Sequence, residues 1–440
     1  MDEEPIFVSV IIPTHNRKAI LLQTLEALAS QTYPVDNLQV VVAVDDCHDG
    51  TQEMLGSYRA PFSFYIVNSP LAGPAAARNC GADRTTGELL IFLDDDIHVT
   101  PGFVQAHVDA HQETLNRIVV GYLHTFIRNQ PTFFSLELKG AWESKFHVMR
   151  RRGHQFMYTD LLSGNFSIRR ALFYQVGGFD TTYRVHEDYE FGMRSIQNGV
   201  IFVFEEKAFG YHNEHTDFER ALERKLEEGI ADVHLGQRYP QLIPTLLLWR
   251  LLSHSLFPSR VMQFLSYRLP RLGNLIALAA QRSLGVFERL HFVGTWRRLL
   301  AGLTGYWYWK GITRVLVTPK DLAEFLKSAP IDETTNQTYA LALELTNGFH
   351  QVEDLLDRER PETVRIFYQE KFLGCLSSTP GTERWHSGHL KPYLIDHLRF
   401  TLLLAMGKNG LIQLPDEIYY KSLFFMGDRE IMTEWERECD

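Results

Sequence analysis

Cysteine is scarce: the four in 440 residues, Cys47, Cys80, Cys375 and Cys439, show no paired spacing. That excludes a disulfide framework or a zinc knuckle and suits a reducing, cytosolic setting. Long apolar runs are also missing. The one long uncharged stretch, residues 60–77, carries Pro61, Pro70 and Pro74 and cannot form a spanning helix. Neither Gly-x-Gly-x-x-Gly nor Gly-x-x-x-x-Gly-Lys occurs, so a bound nucleotide would be held by carboxylates and a metal rather than by a glycine cradle. There is no internal repeat and no low-complexity tract. A net charge of -10 gives no general affinity for nucleic acid. The acidic opening, Met-Asp-Glu-Glu-Pro, leads directly into a strand pattern, unlike a secretory signal.

What is present is an ordinary globular composition, 45% hydrophobic and 22% charged, at a length that accommodates two or three domains. The chain centres on Glu-Leu-Leu-Ile-Phe-Leu-Asp-Asp-Asp-Ile-His-Val, residues 88–99. Its apolar run has the length of a strand covered on both faces and delivers Asp94, Asp95 and Asp96 at its carboxyl end. In open α/β sheets that edge binds ligands. Three adjacent acids repel one another, so a fold that gathers them also suits a hard cation, Mn2+ or Mg2+. A solvated acidic turn is the plain alternative.

Strand and helix signals alternate through the first hundred residues. Strands are expected at 8–12, 38–44, 62–67 and 89–93, and a helix with proline in its first turn at 74–82. This repetition implies right-handed crossovers and a mostly parallel sheet. A second acidic pair, Asp45-Asp46, ends the second strand. Acids at two strand ends are harder to dismiss as surface polarity.

Four stretches in order, Val8-Ser-Val-Ile-Ile-Pro-Thr-His-Asn-Arg17, Val44-Asp-Asp-Cys-His-Asp-Gly-Thr51, Gly73-Pro-Ala-Ala-Ala-Arg-Asn79 and Phe92-Leu-Asp-Asp-Asp96, resemble the motifs of family 2 glycosyltransferases with the GT-A fold. The resemblance implies transfer of a sugar, a hexose in type, from a nucleotide diphosphate sugar, with a UDP-sugar the first candidate. It implies that Asp46 reads the base, that Pro13, Thr14 and Asn16 line the same pocket, and that Arg78 lies near the diphosphate or ribose. Asp94 and Asp96 match the family's Asp-x-Asp motif, with Asp96 on the metal and Asp94 nearer the ribose while still available to the metal. Asp95 fills the variable middle position.

Further on, Ser163-Gly-Asn-Phe-Ser-Ile-Arg169 and His186-Glu-Asp-Tyr-Glu-Phe-Gly-Met-Arg194 resemble the acceptor-side motifs, which implies Asp188 as catalytic base with Glu187 orienting it and Gly164 and Asn165 near the acceptor. Either acid could instead cap the helix that begins there. After a short strand at 200–204, His212 becomes a candidate metal ligand by the same resemblance. Trp142 belongs to an aromatic segment, 131–159, whose rings either stack on sugar or build core. His107 and His111 have helical chelating spacing, but no third ligand is evident. No residue is marked as a nucleophile, so single displacement with inversion is expected.

Residues 244–314 differ. Ten basic residues face one acid, Glu288, giving +9 and leaving the rest of the chain at -19. Interleaved Leu, Trp and Tyr allow docking on an anionic membrane or a helical bundle packed on the protein. The fold expected is thus α/β: a GT-A catalytic domain at 1–240, a basic helical region at 241–330, and a small C-terminal α/β module at 331–440, with a hairpin near 364–376 and a helix at 390–406. The expected setting is cytoplasmic, with peripheral attachment at the inner face of the plasma membrane. The acceptor would be a glycan, lipid-linked or other hydroxyl compound, and a homodimer is open. A non-catalytic nucleotide-sugar binder and a sugar nucleotidyltransferase are the rival readings.

Overall fold

A computed structural model describes residues 5–408, apart from 113, 115, 128, 129, 215, 254–256 and 331–339. The chain forms two compact units. One runs to Met149 and resumes from Met157 to Pro330; the other joins Arg150–Phe156 to the chain after Pro330. The basic helices expected as a region of their own lie within the first unit.

The first unit is built on strands β1 (Val8–Thr14), β2 (Leu38–Val44), β3 (Ser63–Asn68), β4 (Leu89–Leu93), β5 (Ile97–Val99), β6 (Arg117–Phe126), β7 (Asn165–Arg169) and β8 (Ile201–Asn213). They form one sheet in the order β3-β2-β1-β4-β7-β6-β8-β5. β1 to β4 are mutually parallel, as the alternation of signals implies. β7 runs antiparallel between β4 and β6, and β5 antiparallel to β8. β2, apolar but for Gln39, and the wholly apolar β4 are buried at every position, whereas the edge strand β3 is largely exposed.

Helices α1 (Lys18–Ala29), α2 (Thr51–Ser57), α3 (Pro74–Asp83), α4 (Phe103–Asp109), α5 (Phe133–Met149), α6 (Arg170–Val176), α7 (Glu187–Gln197) and α8 (Phe218–Arg238) accompany the sheet. α3 packs hard on β1: a Cβ at Gly81 would stand 2.5 Å from Ile11 Cγ2. Because β1, β2 and β4 point the same way, their carboxyl ends and the loops after them share one edge. β8 continues well past the expected residue 204, and its pairing of His212 with Ile97 brings that histidine beside the acidic loop.

Beyond α8 come α9 (Leu247–Ser253), α10 (Phe257–Arg268), α11 (Pro270–Arg289), α12 (Val293–Val315) and α13 (Pro319–Lys327). α12 lies directly on α8. A Cβ at Gly311 would fall 2.0 Å from Leu226 O, so only glycine permits that approach.

The second unit has a three-stranded sheet, β9 (Leu341–Glu344), β10 (Thr363–Tyr368) and β11 (Lys371–Ser377), in the order β11-β10-β9. Gln369 and Glu370 make the hairpin turn with φ +47° and +64°, and the Glu344 carboxylate accepts both their amide N–H groups. Helix α14 (Phe349–Glu359) covers the sheet with α15 (Ser387–Tyr393) and α16 (Arg399–Lys408), which a wide turn at Leu394–Leu398 makes nearly continuous. The sequence pattern also reads as a strand over 339–345; Tyr339 lies outside the described residues, and β9 occupies Leu341–Glu344.

Candidate active site

The strand ends of the first unit surround a cavity of about 490 Å³ lined, among others, by Pro13, Thr14, Arg78, Asp94, Asp95, Asp96, Trp142, Gly164, Glu187, Asp188 and His212. Segments separated by up to two hundred residues are therefore brought together.

Arg78 is the hub of the inner wall. It stands on α3 and is almost wholly buried. Its guanidinium donates from Nη2 to Asp94 Oδ1 and from Nη1 to Glu187 Oε1, both at 2.7 Å. The loop after β4 is thus tied to the first turn of α7. Burial and the neighbouring Asp188 charge push the Glu187 carboxyl up, while Arg78 opposes them. Asp188 accepts the Ser163 N–H at Oδ2 (3.5 Å) and the Tyr189 N–H at Oδ1 (2.9 Å), and remains partly open to the cavity.

Within the acidic triplet the three side chains do different work. Asp95 is buried and held by Thr14 Oγ1 (2.7 Å) and Arg17 Nη1 (2.9 Å), while Thr24 Oγ1 donates to its carbonyl (2.8 Å). Burial pushes its carboxyl up to about 7, against the pull of Arg17. Asp96 is also buried, but Arg17 and His212 outweigh burial and hold its carboxyl below the ordinary range. Its Oδ2 accepts from Arg17 (2.7 Å). Its Oδ1 is buried without a hydrogen bond, 3.6 Å from His212 Nε2. A carboxylate oxygen and an imidazole nitrogen so placed fit two neighbouring ligands of a Mn2+ or Mg2+ ion, with substrate oxygens and water completing the shell.

Several expectations change. Asp46, marked as the base reader, does not line the cavity: its left-handed backbone (φ +46°) turns the side chain outward, 77% exposed, onto His48 at 3.1 Å. Its neighbour Asp45 lines the cavity and accepts the Gly73 N–H at 2.9 Å. Asn16 is likewise outside; its Oδ1 accepts the His48 N–H (2.7 Å) and fastens two loops together. Asn165 faces the core, its Oδ1 accepting from His107 Nε2 and its Nδ2 donating to Ala208 O. Asp94 Oδ1 accepts from Arg78, and among the described residues no third side chain joins Asp96 and His212 closely enough to share an ion. Gly164 lines the cavity, where a Cβ would stand 2.7 Å from Asp94 Oδ2. Trp142 lines the cavity edge-on to His212, its Nε1 buried without a partner. His107 and His111 are buried on Ser167 and stay neutral, desolvation lowering them to about 4 and about 3.

Pattern reading missed Arg17, His186, Glu214, Arg220 and Arg224 in the lining. Arg17 had the clearest signal, a basic residue at a helix start facing three acids. His186 had none in periodicity. It adopts φ +62° and its Nδ1 lies 3.1 Å from Asp232 Oδ1; that contact outweighs burial and raises the imidazole above its ordinary value.

Among the described residues one trio of metal-type side chains is close-set, Glu383, His386 and His389 of the second unit. Nδ1 of each ring accepts a backbone N–H, from Gly388 and His386 respectively, at 3.2 Å. The proton of each neutral ring is therefore on Nε2, where a metal would need a lone pair. The trio shapes the start of α15.

Residues 9–177 match the family model described as glycosyl transferase family 2. This segment belongs to that family. Validoxylamine A glucosyltransferase of Streptomyces hygroscopicus subsp. jinggangensis is 28% identical over 286 residues, 57% of this chain and 65% of the relative. Glucosyl-dolichyl phosphate glucuronosyltransferase of Haloferax volcanii is 26% identical over 263 residues, 53% of this chain and 79% of the relative. The chain spans less than two thirds of the length of the first of these. A solved mannosyltransferase of Pyrobaculum calidifontis, in complex with GDP-Man and Mn2+, covers 69% of this chain and 86% of its own at 18% identity, with a TM-score of 0.46. The family 2 segment carries the inner wall of the cavity up to Gly164; α7, with the Glu187-Asp188 pair, follows it in sequence.

Proposed function

We propose that the protein is an inverting, metal-dependent glycosyltransferase that moves a sugar from a nucleotide diphosphate sugar, a UDP-sugar first, to a hydroxyl of a glycan or lipid-linked acceptor. The observation that carries this reading is the convergence of Asp94, Asp96, Glu187, Asp188 and His212 on one cavity. Asp96 and His212 would hold a Mn2+ or Mg2+ ion, which when bound supplies positive charge against the leaving diphosphate.

The chain's own residues do the rest. Asp45, Pro13 and Thr14 flank the base and ribose end, with Asp45 taking the role the sequence suggested for Asp46. Trp142 offers a ring face to the sugar. Asp188 accepts the proton of the acceptor hydroxyl as its oxygen bonds to the anomeric carbon; the bond to the diphosphate breaks with its electron pair leaving on the phosphate oxygen. Arg78 and Ser163 hold Glu187 and Asp188 for this step.

Incubation with a panel of nucleotide sugars, with and without Mn2+, tests the reading. Metal-dependent release of nucleoside diphosphate is expected. Pyrophosphate would indicate nucleotidyl transfer instead, and binding without release a scaffold.

A further inference from the structure

The helices after α8 leave one surface uncovered that the catalytic reading does not use. α11 packs its inner line, Gly273, Ala277 and Leu284, against its neighbours; a Cβ at Gly273 would lie 2.6 Å from Tyr306 Oη. On the opposite side Leu272, Leu275, Ile276, Leu278 and Val286 are exposed, Leu275 by 65%. Of the 23 large apolar side chains exposed among the described residues, 13 fall between Leu247 and Val317. A soluble surface rarely concentrates them so.

The charges on this face are ordered. Arg271, Arg282 and Arg289 are 11 and 18 residues apart, which at ~100° per residue puts them within about 20° of one another, interleaved with Leu275 and Leu278 on the exposed face. All three are exposed, and none has an ion pair among the described residues. The segment's single acid, Glu288, is turned inward and accepts the Phe133 N–H at 2.6 Å. Of the ten basic residues between 244 and 314, only Arg297 is ion-paired among the described residues, with Glu137. The alternative in which these arginines neutralise an acidic partner surface within the protein is therefore not what the structure contains. No described helix is long and apolar enough to cross a membrane.

We infer that the outward face of α11 docks the protein flat on an anionic membrane surface. Apolar side chains enter the acyl boundary, and the row of arginines reaches back to the phosphate headgroups. The positive row and the missing acids select a negatively charged bilayer over a second copy of this chain, which would oppose like charge to like charge. This inference is independent of which sugar is transferred, and of whether any is.

Sedimentation of the full chain with vesicles tests it. Binding is expected to phosphatidylcholine vesicles containing phosphatidylglycerol, with little to phosphatidylcholine alone and loss in high salt. Each arginine near the surface is worth about 1 kcal/mol, so Arg271→Gln/Arg282→Gln/Arg289→Gln should weaken the partition about a hundredfold. Leu275→Ser/Ile276→Ser should weaken it about tenfold or more at unchanged thermal midpoint, because both positions are exposed. Binding that ignores lipid charge, or survives the triple substitution, would overturn the inference. So would absence of vesicle binding by a chain that dimerises through Leu275, as light scattering would detect.

Discussion

Replacing Arg78 with methionine keeps the apolar stem of the side chain and removes the charge that Asp94 and Glu187 share. Both contacts are at 2.7 Å, and the guanidinium and the Glu187 side chain are 4% and 8% exposed. Removing one partner of a buried pair costs about 3–5 kcal/mol, chiefly because the other charge is stranded. Asp94 is 38% exposed and can turn to water, so most of that cost should fall on Glu187. The pH dependence follows. Burial and Asp188 already raise the Glu187 carboxyl above its ordinary 4.5, and without Arg78 it rises further. A carboxyl raised on folding binds a proton more tightly in the folded state. Its contribution is therefore intact below 4.5 and is lost as pH climbs through the folded value. Arg78→Met should thus be mild at pH 4 and strongly destabilising at pH 8, and Arg78→Met/Glu187→Gln should recover much of the loss at pH 8. Urea unfolding of the four members of this cycle at both pH values provides the measurement. A loss equal at both pH values, or one that the second substitution does not relieve, would show that Arg78 acts by packing rather than by neutralising Glu187.

Asp188→Asn should leave donor affinity within about twofold while transfer falls by a factor of about 10²–10⁴, the usual share of a general base, as calorimetry and product assays read; normal turnover would remove Asp188 from that role. Asp96→Ala should abolish the Mn2+-dependent part of donor binding while Asp46→Ala leaves donor affinity nearly unchanged; the opposite ranking by calorimetry would restore the sequence-based choice of base reader. At His186, φ +62° penalises any side chain, so His186→Ala should be less stable than His186→Gly by about 1 kcal/mol in urea midpoints. Equal midpoints would mean that the turn relaxes.

The parallel half of the sheet was legible because its inner strands are largely apolar runs buried on both sides, and each crossover is local. β2 and β4 occupy the expected residues, and α3 begins at the proline that signalled it. Legibility fell where structure depends on distant pairing. β8 was visible only to residue 204 because its later part, Glu-Glu-Lys-Ala-Phe-Gly, is stabilised by β6 and β5 rather than by its own pattern. Which of Asp45 and Asp46 faces the cavity was not legible for a different reason. Adjacent residues point opposite ways, and a single left-handed residue at the strand end decides which carboxylate faces inward. Neither periodicity nor spacing encodes that angle. Asn165 likewise sits in the expected motif, yet the buried His107 on a helix some sixty residues earlier fixes its amide in the core.

The helices that follow the sheet are also part of how the site is held. Tyr308 of α12 donates from Oη to Asp232 Oδ2 at 2.5 Å and accepts the Leu248 N–H at 3.0 Å. Asp232 Oδ1 faces His186, the residue that precedes Glu187 and Asp188 and starts α7 in a left-handed turn. A hydroxyl in the helical layer, a carboxylate on α8 and the His186 imidazole thus form one buried chain ending beside the candidate base. The glycine contacts between α8 and α12 make that chain short, because larger residues at Gly229 or Gly311 would separate Tyr308 from Asp232. The close helix packing and the left-handed turn at His186 therefore serve one geometric end: they fix the direction from which the Asp188 carboxylate meets the cavity.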